Sequence, residues 1–250
     1  FAWSNRLILY YLKNGRTNIA LYEAQKMLKE AQEEDDKTGL SRCYNIMSQI
    51  YTVKRLDSMA FEWQLKEIEL TEKYDLENYN ISQTYSQISS YYINTNQPEK
   101  ALEALKKADA TAYSPTQKIS VQLEYVNYYS KFGDMQAAEK ILNECKTAFD
   151  QDKRLWSIKK RLYNIEYVYY LQSKQYPKAL EAAKKQEAEE LNLSESIQNS
   201  VHYLTKGKIY SNMGNMSEAI KYLQMYIEAE DSLKIANEQM ASSEFATLLE

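Results

Sequence analysis

Glycine and proline are scarce in this chain, at five and three in 250 residues, against ordinary usage of about 7% and 5%. A fold of many short strands needs turn-formers at close intervals, so that class is excluded and helices with short polar connections remain. Histidine occurs once, at His202, and the two cysteines, Cys43 and Cys145, stand far apart. No metal-ligand spacing can be drawn from them, so no metal is expected. Both thiols are expected to fill small core positions, with a disulfide as the open alternative. Positive charge is not in excess either. With 26% charged residues and a net charge of −4, counterion release offers no means of attracting nucleic acid. No apolar run reaches the roughly 18 residues of a membrane span, and this segment does not open on a basic-apolar leader. Phe1 and Glu250 read as the limits of a piece of a longer protein.

Catalytic constellations are missing as well. One histidine cannot form a paired-histidine zinc motif, five scattered glycines make no phosphate loop, and no serine sits in a nucleophile elbow. Any two of the 35 acids are better read as surface charge on amphipathic helices than as a dyad with separated pKa values. The chain reads as a non-enzyme that needs no cofactor.

What is present is a repeat. Alanine recurs at Ala20, Ala60, Ala101, Ala138, Ala179 and Ala219, and a tyrosine stands nine residues before each: Tyr11, Tyr51, Tyr92, Tyr129, Tyr170 and Tyr210. The tyrosines are 40, 41, 37, 41 and 40 residues apart. Between tyrosine and alanine lie polar stretches such as Lys13-Asn14-Gly15-Arg16, Lys131-Phe132-Gly133-Asp134 and Asn212-Met213-Gly214-Asn215. They read as turns between paired helices, glycine supplying a left-handed residue and proline, as in Gln97-Pro98 and Tyr176-Pro177, opening the second helix. Segments such as Ala101-Leu102-Glu103-Ala104-Leu105 carry the i, i+3, i+4 apolar spacing of an amphipathic helix. A single pair cannot cover its own apolar face, so neighbours must stack.

At these residues the chain resembles a run of tetratricopeptide repeats. The last copy fits best, with Tyr203, Gly207, Tyr210, Ala219 and Leu223, and Tyr85, Ile88, Tyr92, Ala101, Leu105 and Ala108 follow the same pattern. Ile8, Val126 and Tyr167 replace the family's small residue, and the period is near 40 where the family has 34. The resemblance implies an all-α, right-handed superhelical solenoid of about six helix pairs with a C-terminal capping helix. The array is expected over 1–230, with repeats near 1–38, 39–78, 79–115, 116–153, 154–195 and 196–230, and the last helix over 231–250.

The resemblance also implies that first helices line a concave groove that takes a protein, a peptide or a small ligand. Its inward polar positions would be Asn45, Gln49, Ser86, Ser90, Asn94, Asn127, Asn164 and Lys208. The alternative is that these are the solvated face of a solenoid. The family's clamp for a C-terminal carboxylate cannot be assembled from Arg42, Asn45, Gln49, Ser86 and Ser90. Most of the 23 tyrosines fall at packing positions, which favours core over a stacking platform for sugars or bases. The basic run Lys159-Lys160-Arg161 reads as a solvated helix face, and Glu33-Glu34-Asp35-Asp36 as a helix end and loop.

The tail offers the clue to role. Asp231-Ser232 is expected to cap the start of the final helix, and the run from Tyr226 to Ala246 is similar to the end of bacterial extracytoplasmic tetratricopeptide sensor domains. That likeness implies a sensory input domain of a two-component-type signalling protein, anchored in the membrane outside this segment and lying in the periplasm. A free-standing adaptor, with a cytoplasmic location, is the alternative.

Overall fold

The computed structural model describes residues 2–190 and 195–249, which form twelve α-helices, one 3-10 segment at Lys153–Ile158 and no strand. The helices are α1 (Ala2–Lys13), α2 (Thr17–Glu33), α3 (Lys37–Val53), α4 (Asp57–Tyr74), α5 (Ile81–Asn94), α6 (Pro98–Thr111), α7 (Pro115–Phe132), α8 (Met135–Gln151), α9 (Lys159–Gln172), α10 (Tyr176–Glu190), α11 (Glu195–Asn212) and α12 (Met216–Leu249). They pack as six hairpins in a right-handed superhelical solenoid. First helices also touch along the array, α1 with α3, α5 with α7 and α7 with α9.

One local device is repeated in all six hairpins. The fourth residue after each repeat tyrosine has a positive φ: Gly15, Arg55, Asn96, Gly133, Lys174 and Gly214. A left-handed residue turns the chain out of the first helix and lets a following N–H reach back to its last carbonyls. Thus the N–H groups of Arg16, Leu56, Gln97, Gln175 and Asn215 donate to the carbonyls of Tyr11, Tyr51, Tyr92, Tyr170 and Tyr210 at 2.8–3.0 Å. The second helix opens at once. Pro98 occupies the first turn of α6 and the Asp134 carboxylate accepts from the Ala137 N–H to cap α8. The acidic run behaves as expected: α2 ends at Glu33, and Asp36 caps α3 by accepting from the Gly39 N–H.

The alanine that follows each turn is buried in every hairpin, between 0% and 4% exposed, while the six repeat tyrosines are half-buried. A methyl side chain lets two helices of a pair approach, and Tyr11, Tyr51, Tyr92, Tyr129 and Tyr170 pack, partly buried, against the apolar clusters beside them. Four apolar clusters succeed one another along the array. In them Ile50, Leu105, Leu123, Leu142 and Ile209 are fully covered, each contributing roughly 1.5–3 kcal/mol of burial. Cys43 and Cys145 sit in different clusters as free, buried thiols, which settles the open question of a disulfide.

The tail differs from expectation. Asp231 and Ser232 start no new helix, because α12 runs unbroken from Met216 to Leu249. Neither glycine nor proline interrupts it, and the Ser232 hydroxyl is spent within the helix, donating to the Glu228 carbonyl. A capping residue acts only where the backbone leaves helical geometry, and here burial of Leu233 keeps it helical. The tail still covers the array, as the continuation of the last repeat's second helix.

α12 also reaches the first repeats. Arg55, in the α3–α4 turn, pairs with Glu230 at 3.1 Å. Fourteen residues on, Glu244 is 2% exposed and accepts from the Asn18 and Ile19 N–H groups, at 3.2 and 3.4 Å, and from Asn18 Nδ2 at 2.7 Å. α2 has no capping side chain of its own, so a carboxylate from the other end of the chain caps it. Lys54 Nζ completes the group by donating to Asn18 Oδ1 at 2.9 Å.

Candidate functional site

The expected groove residues do not form one continuous lining. Asn45 and Gln49 border a cavity of about 510 Å³ between α1, α3, α4 and the α4–α5 connection, together with Asn5, Arg42, Glu67 and Asn78. Ser90 and Asn127 meet elsewhere, on α5 and α7. Ser86 is 2% exposed and donates within its own helix to the Ser82 carbonyl. Asn94, Asn164 and Lys208 are exposed and widely separated along the array.

What organises the two groups is a residue type the sequence analysis did not single out, the buried glutamate. Glu67 is 1% exposed. Asn45 Nδ2 lies 3.2 and 3.1 Å from its two oxygens, Asn78 Nδ2 donates at 2.8 Å, and Thr84 Oγ1 donates at 3.2 Å. Burial pushes the Glu67 carboxyl above the usual carboxylate range, and the hydrogen bonds from Asn78, Asn45 and Thr84 pull it partly back. The amides are oriented in turn: Gln49 Nε2 donates to Asn45 Oδ1 at 2.6 Å and the Asn80 N–H to Asn78 Oδ1 at 2.9 Å.

At the second group, Glu124 on α7 is 3% exposed. It accepts from Ser90 Oγ at 2.7 Å and Asn127 Nδ2 at 2.8 Å, and pairs with Arg161 at 2.8 Å. The basic run is thus not wholly a solvated face. Lys159 pairs on the surface with Glu189, whereas Arg161 reaches inward to a buried acid. A third acid, Glu166 on α9, is 5% exposed and paired with Lys146 at 2.7 Å.

A signal for these acids exists in the sequence. Glu124 stands between Leu123 and Val126, and Glu166 between Leu162 and Tyr169 at i−4 and i+3, positions that helical periodicity assigns to the packed face. A charge on that face requires partners, and the amides and cations nearby are those partners. Gly207 carries another packing constraint, since a Cβ there would lie 3.0 Å from two Leu223 side-chain carbons.

Among the described residues, no three potential ligands of the His, Cys, Asp and Glu types are grouped to hold a metal ion, and no helix is long and apolar enough to cross a membrane. The cavity is instead suited to hydrogen bonding, with amides and one buried carboxylate held in fixed orientation.

The family described as "26S proteasome subunit RPN7" matches residues 52–183, more than half of the chain, and a tetratricopeptide repeat matches residues 203–232. No curated protein matches. Among solved structures, the apo form of RapI has a TM-score of 0.71 at 16% identity, covering 92% of this chain and 82% of that one. PilW, described as a widely conserved type IV pilus biogenesis factor, has a TM-score of 0.57 at 18% identity over 88% and 89% of the two chains. BtubC from P. vanneervenii has a TM-score of 0.53 at 14% identity over 87% and 92%. These likenesses are of fold. Folds of this type are generally non-catalytic scaffolds, and the array is a protein-interaction module of the tetratricopeptide type. The chain belongs to the family described as 26S proteasome subunit RPN7 and carries a tetratricopeptide repeat at residues 203–232.

Proposed function

We propose that this module is the sensory input domain of a bacterial membrane-anchored signalling protein, placed on the extracytoplasmic side, and that α12 carries its state to the rest of that protein. The observation that supports this is the double attachment of α12. It is the second helix of the last repeat, and through Glu230 and Glu244 it is tied to the first two repeats. A ligand that changes the curvature of the array between those points must strain the attachments or move the helix. Groups that make differential contacts in two states are what a switch requires.

The test is a Glu244→Ala, Glu230→Ala double variant of the intact protein, with helicity checked by circular dichroism. The expected result is an altered basal output with the ligand response lost and the repeats still folded. Unchanged basal output and response would overturn the sensory reading. A second reading has one observation in its favour: the matching family is described as a subunit of a larger assembly. In that case the chain is a scaffold, and the same variant would change partner binding with no signalling output to measure.

A further inference from the structure

Among the described residues four glutamates are buried, Glu67, Glu124, Glu166 and Glu244, and two of them hold a cation. Glu124 has Arg161 at 2.8 Å and Glu166 has Lys146 at 2.7 Å. Glu244 is met instead by the backbone N–H groups that open α2, the positive end of that helix. Glu67 is the most deeply buried at 1% exposure, and its hydrogen-bond partners are all neutral side chains: Asn45, Asn78 and Thr84. It is also the one that borders the cavity. Leaving a carboxylate buried without a positive partner is unfavourable, and the ordinary remedies are protonation or the arrival of a cation.

The surroundings say what kind of cation fits. Asn45 and Asn78 direct their Nδ2 groups at Glu67, so their Oδ1 atoms face away from it. Each of those oxygens accepts one internal hydrogen bond, from Gln49 Nε2 and from the Asn80 N–H, and keeps a second lone pair. Gln49 uses Nε2 in this arrangement and adds its Oε1 as a third acceptor among the cavity-lining groups. Three carbonyl acceptors backed by one buried negative charge match the three N–H donors of a primary ammonium. A quaternary ammonium has no N–H to offer. The other charges at the cavity, Arg42 and Glu77, are both exposed and screened by solvent.

We propose that the Glu67 cavity is a binding site for a primary ammonium group, carried by the N-terminus or a lysine side chain of a peptide. The ammonium sits on Asn45 Oδ1, Asn78 Oδ1 and Gln49 Oε1 and supplies the charge that Arg161 and Lys146 supply at Glu124 and Glu166. A cavity of about 510 Å³ falls within the roughly 300–1,000 Å³ range of ligand pockets, so the amine arrives with part of its chain. This site refines the reading of the array as a protein-interaction module and rests on it.

The test is NMR titration of the side-chain amides of Asn45, Gln49 and Asn78 with four probes: triglycinamide, its N-acetyl form, N-acetyl-lysine methylamide and tetramethylammonium. We expect these amides to shift with triglycinamide, with the lysine derivative or with both, which identifies the source of the amine. We expect at least a five-fold loss of affinity between pH 7 and pH 4.5 as Glu67 is protonated, and at least a ten-fold loss in Glu67→Gln at pH 7. Arg42→Gln is expected to leave affinity unchanged or tighten it. Equal shifts with the acetylated peptide or with tetramethylammonium, no shift with either amine, or affinity independent of pH in the wild type would overturn the site. Failure of these small probes would leave the protein-binding reading intact. Shifts confined to the cavity in the presence of amine, with none at Asn18 or Arg55, would keep the ammonium site and remove the sensory role.

Discussion

Replacing Arg161 by methionine is expected to leave Glu124 buried with neutral partners alone. This should cost about 2 kcal/mol or more, below the usual range for broken buried pairs because Arg161 keeps part of its side chain in water. Urea unfolding checks it, and Arg161→Met combined with Glu124→Leu should recover much of the loss. The contribution of Glu67 depends on pH. A carboxyl whose pKa is raised by folding holds its proton more tightly in the native state, so its contribution to stability falls as pH rises from the ordinary carboxylate range through the raised value. The stability of wild type relative to Glu67→Gln should therefore decline over that window, as pH-dependent unfolding would show. Burial pushes the Cys43 thiol up to about 11 and the Cys145 thiol up to about 12. Neither should react with an aromatic disulfide reagent at pH 8 until the chain is unfolded. The repeat alanines and tyrosines were readable because each acts within one hairpin at a fixed spacing. The glutamates were passed over because composition treats an acid as a surface residue, and only its position on the apolar face reveals otherwise.

The unit of the array is a hairpin whose turn demands one left-handed residue, and three of the six turns meet that demand without glycine. Lys174 sits at φ 59°, a conformation that disfavours a residue with a Cβ by about 1–2 kcal/mol. Lys174→Gly should raise the melting temperature, by that amount less the entropy that glycine gains when unfolded. Gly133→Ala, at φ 99°, should lower it by a similar margin, and Asn96→Gly should change little because asparagine tolerates this region. Scanning calorimetry of the three variants checks the ordering. The glycine-bearing turns are legible in the sequence, and Pro98 and Pro177 mark two of the other three. The tail is not legible in this way, because Asp231-Ser232 has the residue types of a cap. Local preference there is worth about 1 kcal/mol, too little to break a helix that buries Leu233 and ends in four hydrogen bonds to α2.

At the scale of the molecule, nothing in a nearest-neighbour pattern foretells that Glu244 meets Asn18, since the two lie at opposite ends of the array, in the last and the first repeat. The contact depends on the accumulated curvature of the whole array. Glu244→Ala is therefore expected to expose the Asn18 and Ile19 amides to faster hydrogen exchange while the amides of α5 through α8 keep their protection. Equal protection in both forms would show that the contact adds nothing. The attachment also bears on how the chain comes apart. A linear stack of repeats has two free ends, and its terminal units melt first because each has a neighbour on one side only. Here the first repeat is held by the last, so the stack is closed into a loop with no end at which melting can begin. Its unfolding should be a single sharp transition in the wild type, and should spread into sequential steps once Glu230 and Glu244 are removed.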